Sequence, residues 1–213
     1  GWASSSKYPF LGGLRSAAQI VSYEVPLTMS LLVPVLLAGS LSFRELSVKL
    51  ATGMHPLAFI PLFLGFFFYL TCGFAETNRV PFDLAEAETE LVSGFHTEYT
   101  GMKFGFFFLA EYANMIVVSA IASAFFLGGH YLLPFGMQSY CGSFLGSIWA
   151  PLNQPSILFF VGKVGFLLFV FLWIRATLPR YRYDQLMHVG WKFLIPVTLV
   201  NLFIAAAIKF VWM

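Results

Sequence analysis

Residues 56–75 read PLAFIPLFLGFFFYLTCGFA, a run of twenty residues without one charged side chain. An α-helix of about 20 apolar residues is long enough to cross the hydrocarbon core of a bilayer. Four further stretches are also long and apolar, at residues 12–39, 104–130, 156–178 and 192–213. The sequence therefore predicts an all-α, polytopic membrane helix bundle, with about five transmembrane helices in a single membrane domain.

The composition excludes a water-soluble globular domain. Hydrophobic residues make up 59% of the 213 residues and only 10% are charged, whereas soluble domains carry roughly 25% charged residues. The two cysteines and four histidines have neither disulfide-framework nor metal-ligand spacing. We therefore expect membrane lipids around most of the chain, and neither a metal site nor a nucleic-acid partner.

Lysine and arginine are distributed unevenly between the two membrane faces. Five spans place the N-terminus and the segments 76–103 and 179–191 on one face, which holds or borders eight of these residues: Lys7, Arg15, Arg79, Lys103, Arg175, Arg180, Arg182 and Lys192. The opposite face has three, Arg44, Lys49 and Lys209. The positive-inside rule makes the first face cytoplasmic or matrix-facing. Arg175, Arg180 and Arg182 are interpreted as positive-inside anchors or lipid-headgroup contacts.

Most of the acidic residues lie in one stretch. Seven of the ten are Glu76, Asp83, Glu86, Glu88, Glu90, Glu98 and Glu111. Pro81 suits the first turn of a helix running to about Gly94, on which Asp83, Glu86 and Glu90 share one stripe. This pattern predicts an amphipathic acidic helix-loop beside a wet cavity, whose coupled carboxylates are suited to passing protons. The alternative is an ordinary solvated loop.

Two acidic residues fall inside predicted spans, Glu24 in the first and Glu111 in the third. A charge at the centre of a membrane helix costs roughly 2.5–3.5 kcal/mol, so such residues usually face a protein interior or a water pathway. Glu24 and Glu111 either lock two helices together by an inward hydrogen bond or, as we favour, join Glu76 in a proton route. If Glu76 is only structural, its expected partner is Arg79.

Four stretches of the sequence carry a family resemblance. They are AETNRVPFDLAEAE at residues 75–88 with ELVSG at 90–94, GWASSSKY at 1–8, FFLAEYANM at 107–115 and PRYRYDQLM at 179–187. Together they resemble the membrane subunit of respiratory complex I called subunit 1 in mitochondria and the H subunit in bacteria. The resemblance runs from one end of the chain to the other, and its motifs are highly specific.

The resemblance implies a C-terminal part of an eight-span subunit, in which residues 76–103 form a loop of the quinone chamber. The acids that match the family's proton path or its entrance are Glu24, Glu76, Glu86, Glu88, Glu90, Glu98 and Glu111. The residues that match positions at or near the quinone chamber are Arg79, Asp83, Ser93, Phe108 and Tyr112.

The resemblance also implies an activity shared with other chains. The chain would act in an NADH:ubiquinone reductase that translocates protons, with a ubiquinone-type quinone as substrate and no activity when isolated. It would hold no cofactor alone, because FMN and iron–sulfur clusters belong to partner subunits. Its expected partners are the quinone-site subunits of the hydrophilic arm, small membrane subunits and antiporter-like subunits.

About three spans of the family pattern are missing from the front, so we expect either a separate chain that carries them or a longer protein of which this sequence is a part. This apparent split, together with 26 phenylalanines, favours the mitochondrial inner membrane over the bacterial plasma membrane. Three alternative functions are the proton-path subunit of a related membrane-bound hydrogenase, an ion-coupled secondary transporter and a purely structural anchor. A transporter is disfavoured because the sequence has no internal repeat.

Overall fold

The computed structural model of the chain describes residues 2–52, 56–83, 94–131 and 155–212. In these ranges the chain forms helices joined by short turns: α1 (Lys7–Ala38), α2 (Phe43–Thr52), α3 (Phe59–Glu76), α4 (Met102–Phe125), α5 (Ile157–Thr177), α6 (Tyr183–His188) and α7 (Ile195–Trp212). A π-helical segment, Val189–Leu194, joins α6 to α7, and 3-10 turns cover Trp2–Ser4, Pro56–Ala58 and Gly94–His96. Within the described residues, five helical segments are long and apolar enough to span a membrane. The predicted all-α, polytopic membrane bundle is thus confirmed.

The helix ends differ from the predicted spans mainly at three places, and at one of them α4 ends at Phe125 rather than near residue 130. The first helix begins at Lys7 rather than near residue 12, with Pro9 in its first turn, where proline costs no hydrogen bond. The last spanning segment is helical from Tyr183 rather than from residue 192. There the Arg182 backbone N–H donates to Gln185 Oε1 at 3.4 Å and caps the start of α6.

The five spanning segments alternate in direction. The start of α1, the end of α3, the start of α4, the end of α5 and the start of α6 therefore share one face of the bundle. We call it the acidic face, because Glu76, Asp83, Glu98 and Glu111 lie at this end of the helices or in the segments that join them.

A close contact between α3 and α4 positions the acidic face. A Cβ atom at Gly73 of α3 would lie only 2.6 Å from Cγ1 of Val118 in α4. The Tyr69 hydroxyl of α3 donates to the Val118 carbonyl at 3.2 Å, and both Tyr69 and Val118 are buried. Because α3 and α4 meet this closely, the end of α3 lies beside the part of α4 that carries Glu111.

Lysines secure helix ends on the opposite face. Lys49 Nζ donates to the Ala38 carbonyl at 2.6 Å and Lys209 Nζ donates to the Leu36 carbonyl at 2.6 Å, both at the end of α1. Gly39 follows in the left-handed conformation with φ +67°, and a Cβ there would lie 2.8 Å from Lys209 Nζ. Cations at a helix C-terminus stabilise it against the helix dipole.

A third lysine makes a similar contact from inside a spanning helix. Lys163 lies in the second turn of α5, and its Nζ donates to the carbonyls of Leu127, Gly129 and Tyr131, just beyond the end of α4. Three backbone acceptors match the three N–H donors of an ammonium group. Lys163 therefore joins α5 to the end of α4, the helix that carries Glu111.

Candidate functional site

The centre of the acidic face is an ion pair between the loop after α3 and the helix α4. Arg79 Nη2 lies 2.7 Å from Glu111 Oε2, and their side chains are only 7% and 14% exposed. Opposite charges this close and this buried attract each other strongly, because little water lies between them. Arg79 was expected to pair with Glu76 if Glu76 has only a structural role; among the described residues, Arg79 pairs with Glu111 instead. The close packing of α3 on α4 explains this, because it directs the loop toward α4.

His96 lies on the other side of the Glu111 carboxylate. Its Nε2 is 3.9 Å from Glu111 Oε1, and its side chain is 3% exposed. The imidazole ring makes edge-on contacts with Phe104 and Phe107 of α4, at centroid distances of 5.5 and 5.1 Å. His96 belongs to the 3-10 turn Gly94–His96, so a second loop also contacts Glu111.

Two aromatic rings of α4 lie against the Arg79 guanidinium. Its Cζ is 5.4 Å from the Phe108 ring centroid and 4.9 Å from that of Tyr112. These distances fall within the range of cation–π attraction. Phe108 lies three residues before Glu111 and four before Tyr112, so the three side chains project from neighbouring positions of one helical surface. The structure therefore brings together four predicted site residues, Arg79, Phe108, Glu111 and Tyr112.

The segment that carries Arg79 is a turn, not the start of a helix. Residues 80–82 form a turn and a bend and residue 83 is not helical, although the sequence predicted a helix from Pro81. The backbone N–H of Tyr181 donates to the Pro81 carbonyl at 3.0 Å, and Gln19 Nε2 donates to the Phe82 carbonyl at 2.9 Å. Contacts with distant parts of the chain thus satisfy carbonyls that a helix would have bonded internally.

Asp83 lies at the end of this turn and pairs with Arg180. Arg180 Nη2 is 3.2 Å from Asp83 Oδ2, with the arginine side chain 42% exposed and the aspartate 8% exposed. The neighbouring rings of Phe82 and Tyr181 stack at 5.6 Å. Arg180 was interpreted as a membrane anchor or headgroup contact; the structure adds an ion pair that joins the segment after α5 to the turn after α3.

The other predicted acids lie around this centre. Glu76 is the last residue of α3 and is half-buried. Glu24 is exposed on the surface of α1. Glu98 is exposed in the turn that follows the 3-10 segment. Glu86, Glu88, Glu90 and Ser93 lie outside the described residues, so their placement stays a prediction.

Three residues of this site were not assigned to it from the sequence: Gln19, His96 and Arg180. Gln19 had a usable signal, because an amide inside an apolar span must find hydrogen-bond partners. His96 and Arg180 had none, because their distances in sequence from Glu111 and Asp83 do not reveal that they meet. Each of the three contacts a segment that is distant in sequence, and the packing of the helices determines which segments meet.

Comparisons with known proteins agree with one another. Residues 1–206 match the protein family described as NADH dehydrogenase. The chain is 50% identical over 209 residues to the H subunit of the NADH-quinone oxidoreductase of Rhodospirillum centenum, an alignment that covers 98% of this chain and 57% of the relative. It is 52% identical over 199 residues to the corresponding H subunit of Rickettsia peacockii, covering 93% of this chain and 55% of that relative. The chain therefore spans about half the length of the curated relatives it matches.

Proposed function

The chain belongs to the NADH dehydrogenase family, and from this premise we propose that it acts as a core membrane subunit of a complex I-type NADH:quinone oxidoreductase. Two relatives at about half identity are named as the H subunit of an NADH-quinone oxidoreductase. In this proposal the chain forms one wall of the quinone chamber and part of the acidic path that couples quinone reduction to proton translocation. FMN and iron–sulfur clusters belong to partner subunits, and the quinone is the substrate.

The single observation that carries the proposal is the ion pair between Arg79 and Glu111. Arg79 belongs to the loop assigned to the chamber, whereas Glu111 lies about two turns into a spanning helix. A change of charge or of hydrogen bonding at Arg79 alters the electrostatic energy of Glu111 directly, because opposite charges this close and this buried are weakly screened. The ion pair therefore couples a loop of the proposed chamber, through Arg79, electrostatically to Glu111 in the membrane interior.

The chamber wall is assigned to Arg79, Asp83, Phe108 and Tyr112. Phe108 and Tyr112 supply aromatic surface suited to a flat apolar head group, while the guanidinium supplies N–H donors for a carbonyl oxygen. Tyr112 is 42% exposed on this chain. An aromatic side chain that is exposed beside a buried charged pair is accessible to a substrate as well as to a partner subunit. We assign Ser93 to the same wall on the family pattern alone.

The acidic path is assigned to Glu76, Glu24 and Glu111, with Glu98 and the undescribed Glu86, Glu88 and Glu90 near its entrance. Glu24 and Glu76 lie on different helices, α1 and α3, so a path through both acids would carry protons from one helix to another. Glu24 is exposed on this chain, and a carboxylate in a membrane helix requires a polar partner or water next to it. We propose that neighbouring membrane subunits supply the polar groups or the water around Glu24.

This function is favoured over the other candidates. A hydrogenase-type subunit would keep the acids but would not use a quinone, and both relatives are named as NADH-quinone oxidoreductase subunits. A secondary transporter or a pure anchor would leave the family match without an explanation. The proposed partners are the hydrophilic-arm subunits of the quinone site, the small membrane subunits and the antiporter-like subunits.

The chain is a multi-pass membrane protein, and its proposed location is an energy-transducing membrane. Both relatives are bacterial, which favours the bacterial plasma membrane. They give no support to the mitochondrial inner membrane, which the phenylalanine content and the apparent split had favoured.

The test is Glu76→Gln in the intact complex, with quinone-coupled turnover and proton pumping measured on the same preparation. The substitution keeps the shape of the side chain but removes the group that binds and releases a proton. We expect pumping, or turnover together with pumping, to fall while assembly is retained. The matched control is Glu45→Gln, an exposed acid of α2 on the opposite face, for which both rates should stay normal. Normal pumping in assembled Glu76→Gln complex would remove Glu76 from the path.

A further inference from the structure

A buried amide of α1 holds the segment that carries Arg79. Gln19 is completely buried, and its Nε2 donates to the Ala75 carbonyl at 2.6 Å and to the Phe82 carbonyl at 2.9 Å. Ala75 is in the last turn of α3, whereas Phe82 lies in the turn that precedes Asp83. One NH₂ group thus joins both ends of an eight-residue segment, 75–82, which contains Glu76 and Arg79.

The orientation of this amide is determined by its neighbours. Two carbonyl oxygens within hydrogen-bond distance require a donor, so the NH₂ group must face them. The opposite atom, Gln19 Oε1, is buried and has no hydrogen-bond partner among the described residues. The hydrogen bonds that this structure shows for the amide are therefore both made to the segment 75–82.

Simple attachment of α1 to α3 does not account for this geometry. A single bond to Ala75 would be enough to join the two helices, because Ala75 is already part of α3. The second bond reaches across Arg79 to Phe82, which has left the helix. The Phe82 N–H also donates to the Arg79 carbonyl at 2.8 Å. Gln19 therefore closes the loop on which the guanidinium is carried.

We infer that Gln19 is a positioning residue, which sets the location of the Arg79 guanidinium relative to Glu111 and to the rings of Phe108 and Tyr112. The inference rests on the proposed function and names a further residue of the same site. Both hydrogen bonds that the structure shows for Gln19 go to backbone carbonyls, those of Ala75 and Phe82. It acts through the backbone of the segment 75–82, so its loss should move Arg79 without removing any group that would touch the quinone.

The experiment uses the intact complex with Gln19→Met, which keeps the length of the side chain and removes both donors. Glu45→Met is the control, because it introduces the same side chain at an exposed position of α2 on the opposite face. With a short-chain ubiquinone analogue as substrate, we expect Gln19→Met to raise KM about tenfold, the factor that corresponds to losing one or two hydrogen bonds. We expect a smaller effect of Gln19→Met on kcat and no change of KM for Glu45→Met. Rates are expressed per assembled complex.

A double-variant comparison separates positioning from a general structural role. If Gln19 acts through Arg79, the complex with Gln19→Met and Arg79→Met together should have the same KM as Arg79→Met alone. A KM that rises by the product of the two single effects would overturn the inference, as would an unchanged KM for assembled Gln19→Met. If Gln19→Met does not assemble, Gln19→Asn replaces it, since that shorter amide keeps a donor but cannot reach both carbonyls. An unchanged KM for Gln19→Asn would likewise overturn the inference.

The proposed function can fail separately. If Arg79→Met alone leaves both KM and kcat unchanged, Arg79 has no place in the chamber, and the assignment of the site fails together with the role of Gln19. If Arg79→Met raises KM while Gln19→Met does not, the site stands and only the role of Gln19 is lost.

Discussion

Arg79 Nη2 and Glu111 Oε2 lie 2.7 Å apart, and this contact joins a loop to the interior of a spanning helix. Both side chains are largely buried, and the rings of Phe108 and Tyr112 cover the guanidinium. A buried pair of this kind gains its stability from the mutual compensation of two charges rather than from either charge alone. Its removal can therefore be tested one partner at a time.

We expect Arg79→Met to destabilise the site by about 3 kcal/mol, because it leaves a carboxylate buried without its counter-charge. The combination of Arg79→Met with Glu111→Gln should recover part of this loss, since no net charge is then stranded. The measurement is the midpoint temperature at which the assembled complex dissociates on native gels. A double variant as unstable as the sum of its single variants would show that the two residues are not coupled.

The second ion pair, Asp83 with Arg180, should behave differently. The Arg180 side chain is 42% exposed, so water and salt screen the pair, and exposed pairs contribute only about 0–1 kcal/mol. We expect Arg180→Gln to lower the dissociation temperature far less than Arg79→Met does. The difference from the unsubstituted complex should also disappear at high salt. An Arg180→Gln complex as unstable as Arg79→Met, at any salt concentration, would contradict the screening expected from this exposure.

The contact of Gly73 with Val118 should be sensitive to a single methyl group. In Gly73→Ala the new Cβ would lie 2.6 Å from Val118 Cγ1, and overpacking of this kind typically costs about 1–3 kcal/mol. The cost should appear as a lower dissociation temperature and as a higher quinone KM, because α4 carries Glu111 and would be displaced.

The companion variant Val118→Ala supplies the control for this prediction. It removes the methyl groups that the new Cβ would meet, so Gly73→Ala combined with Val118→Ala should be more stable than Gly73→Ala alone. If Val118→Ala only lowers the stability of Gly73→Ala further, a clash between the new Cβ and Val118 is not the cause of the loss in Gly73→Ala.

Lys163 should be required for the attachment of α5 to the end of α4. Lys163→Met would leave the carbonyls of Leu127, Gly129 and Tyr131 without their donor, and a buried polar group that loses its partner costs about 1–3 kcal/mol. We expect a clear loss of assembled complex for Lys163→Met and partial retention for Lys163→Arg, which keeps N–H donors. The measurement is the amount of assembled complex on native gels. Equal amounts for the unsubstituted chain, Lys163→Met and Lys163→Arg would show that Lys163 is not required to satisfy these carbonyls.

Parts of the site could be predicted because they depend on one residue and its immediate surroundings. Glu111 was singled out because a carboxylate in an apolar span is costly wherever the neighbouring helices lie. Arg79, Phe108 and Tyr112 were singled out because they occur in motifs of a recognised family. The prediction of a helix from Pro81 was wrong over residues 81–83. In the structure, Tyr181 and Gln19 donate hydrogen bonds to the carbonyls of Pro81 and Phe82, which such a helix would have bonded internally. Local propensity contains no information about these two distant donors.

The sequence by itself determined the membrane-spanning segments, the all-α fold and the family, since apolar length and contiguous motifs are properties of consecutive residues. Only the tertiary structure decided that Arg79 pairs with Glu111 rather than with Glu76, that His96 borders the same carboxylate, and that Gln19 closes the intervening loop. The physical reason is that these pairings depend on how the helices are rotated and how closely they approach. Contacts such as that of Gly73 with Val118 determine both quantities, and they join residues far apart in the chain.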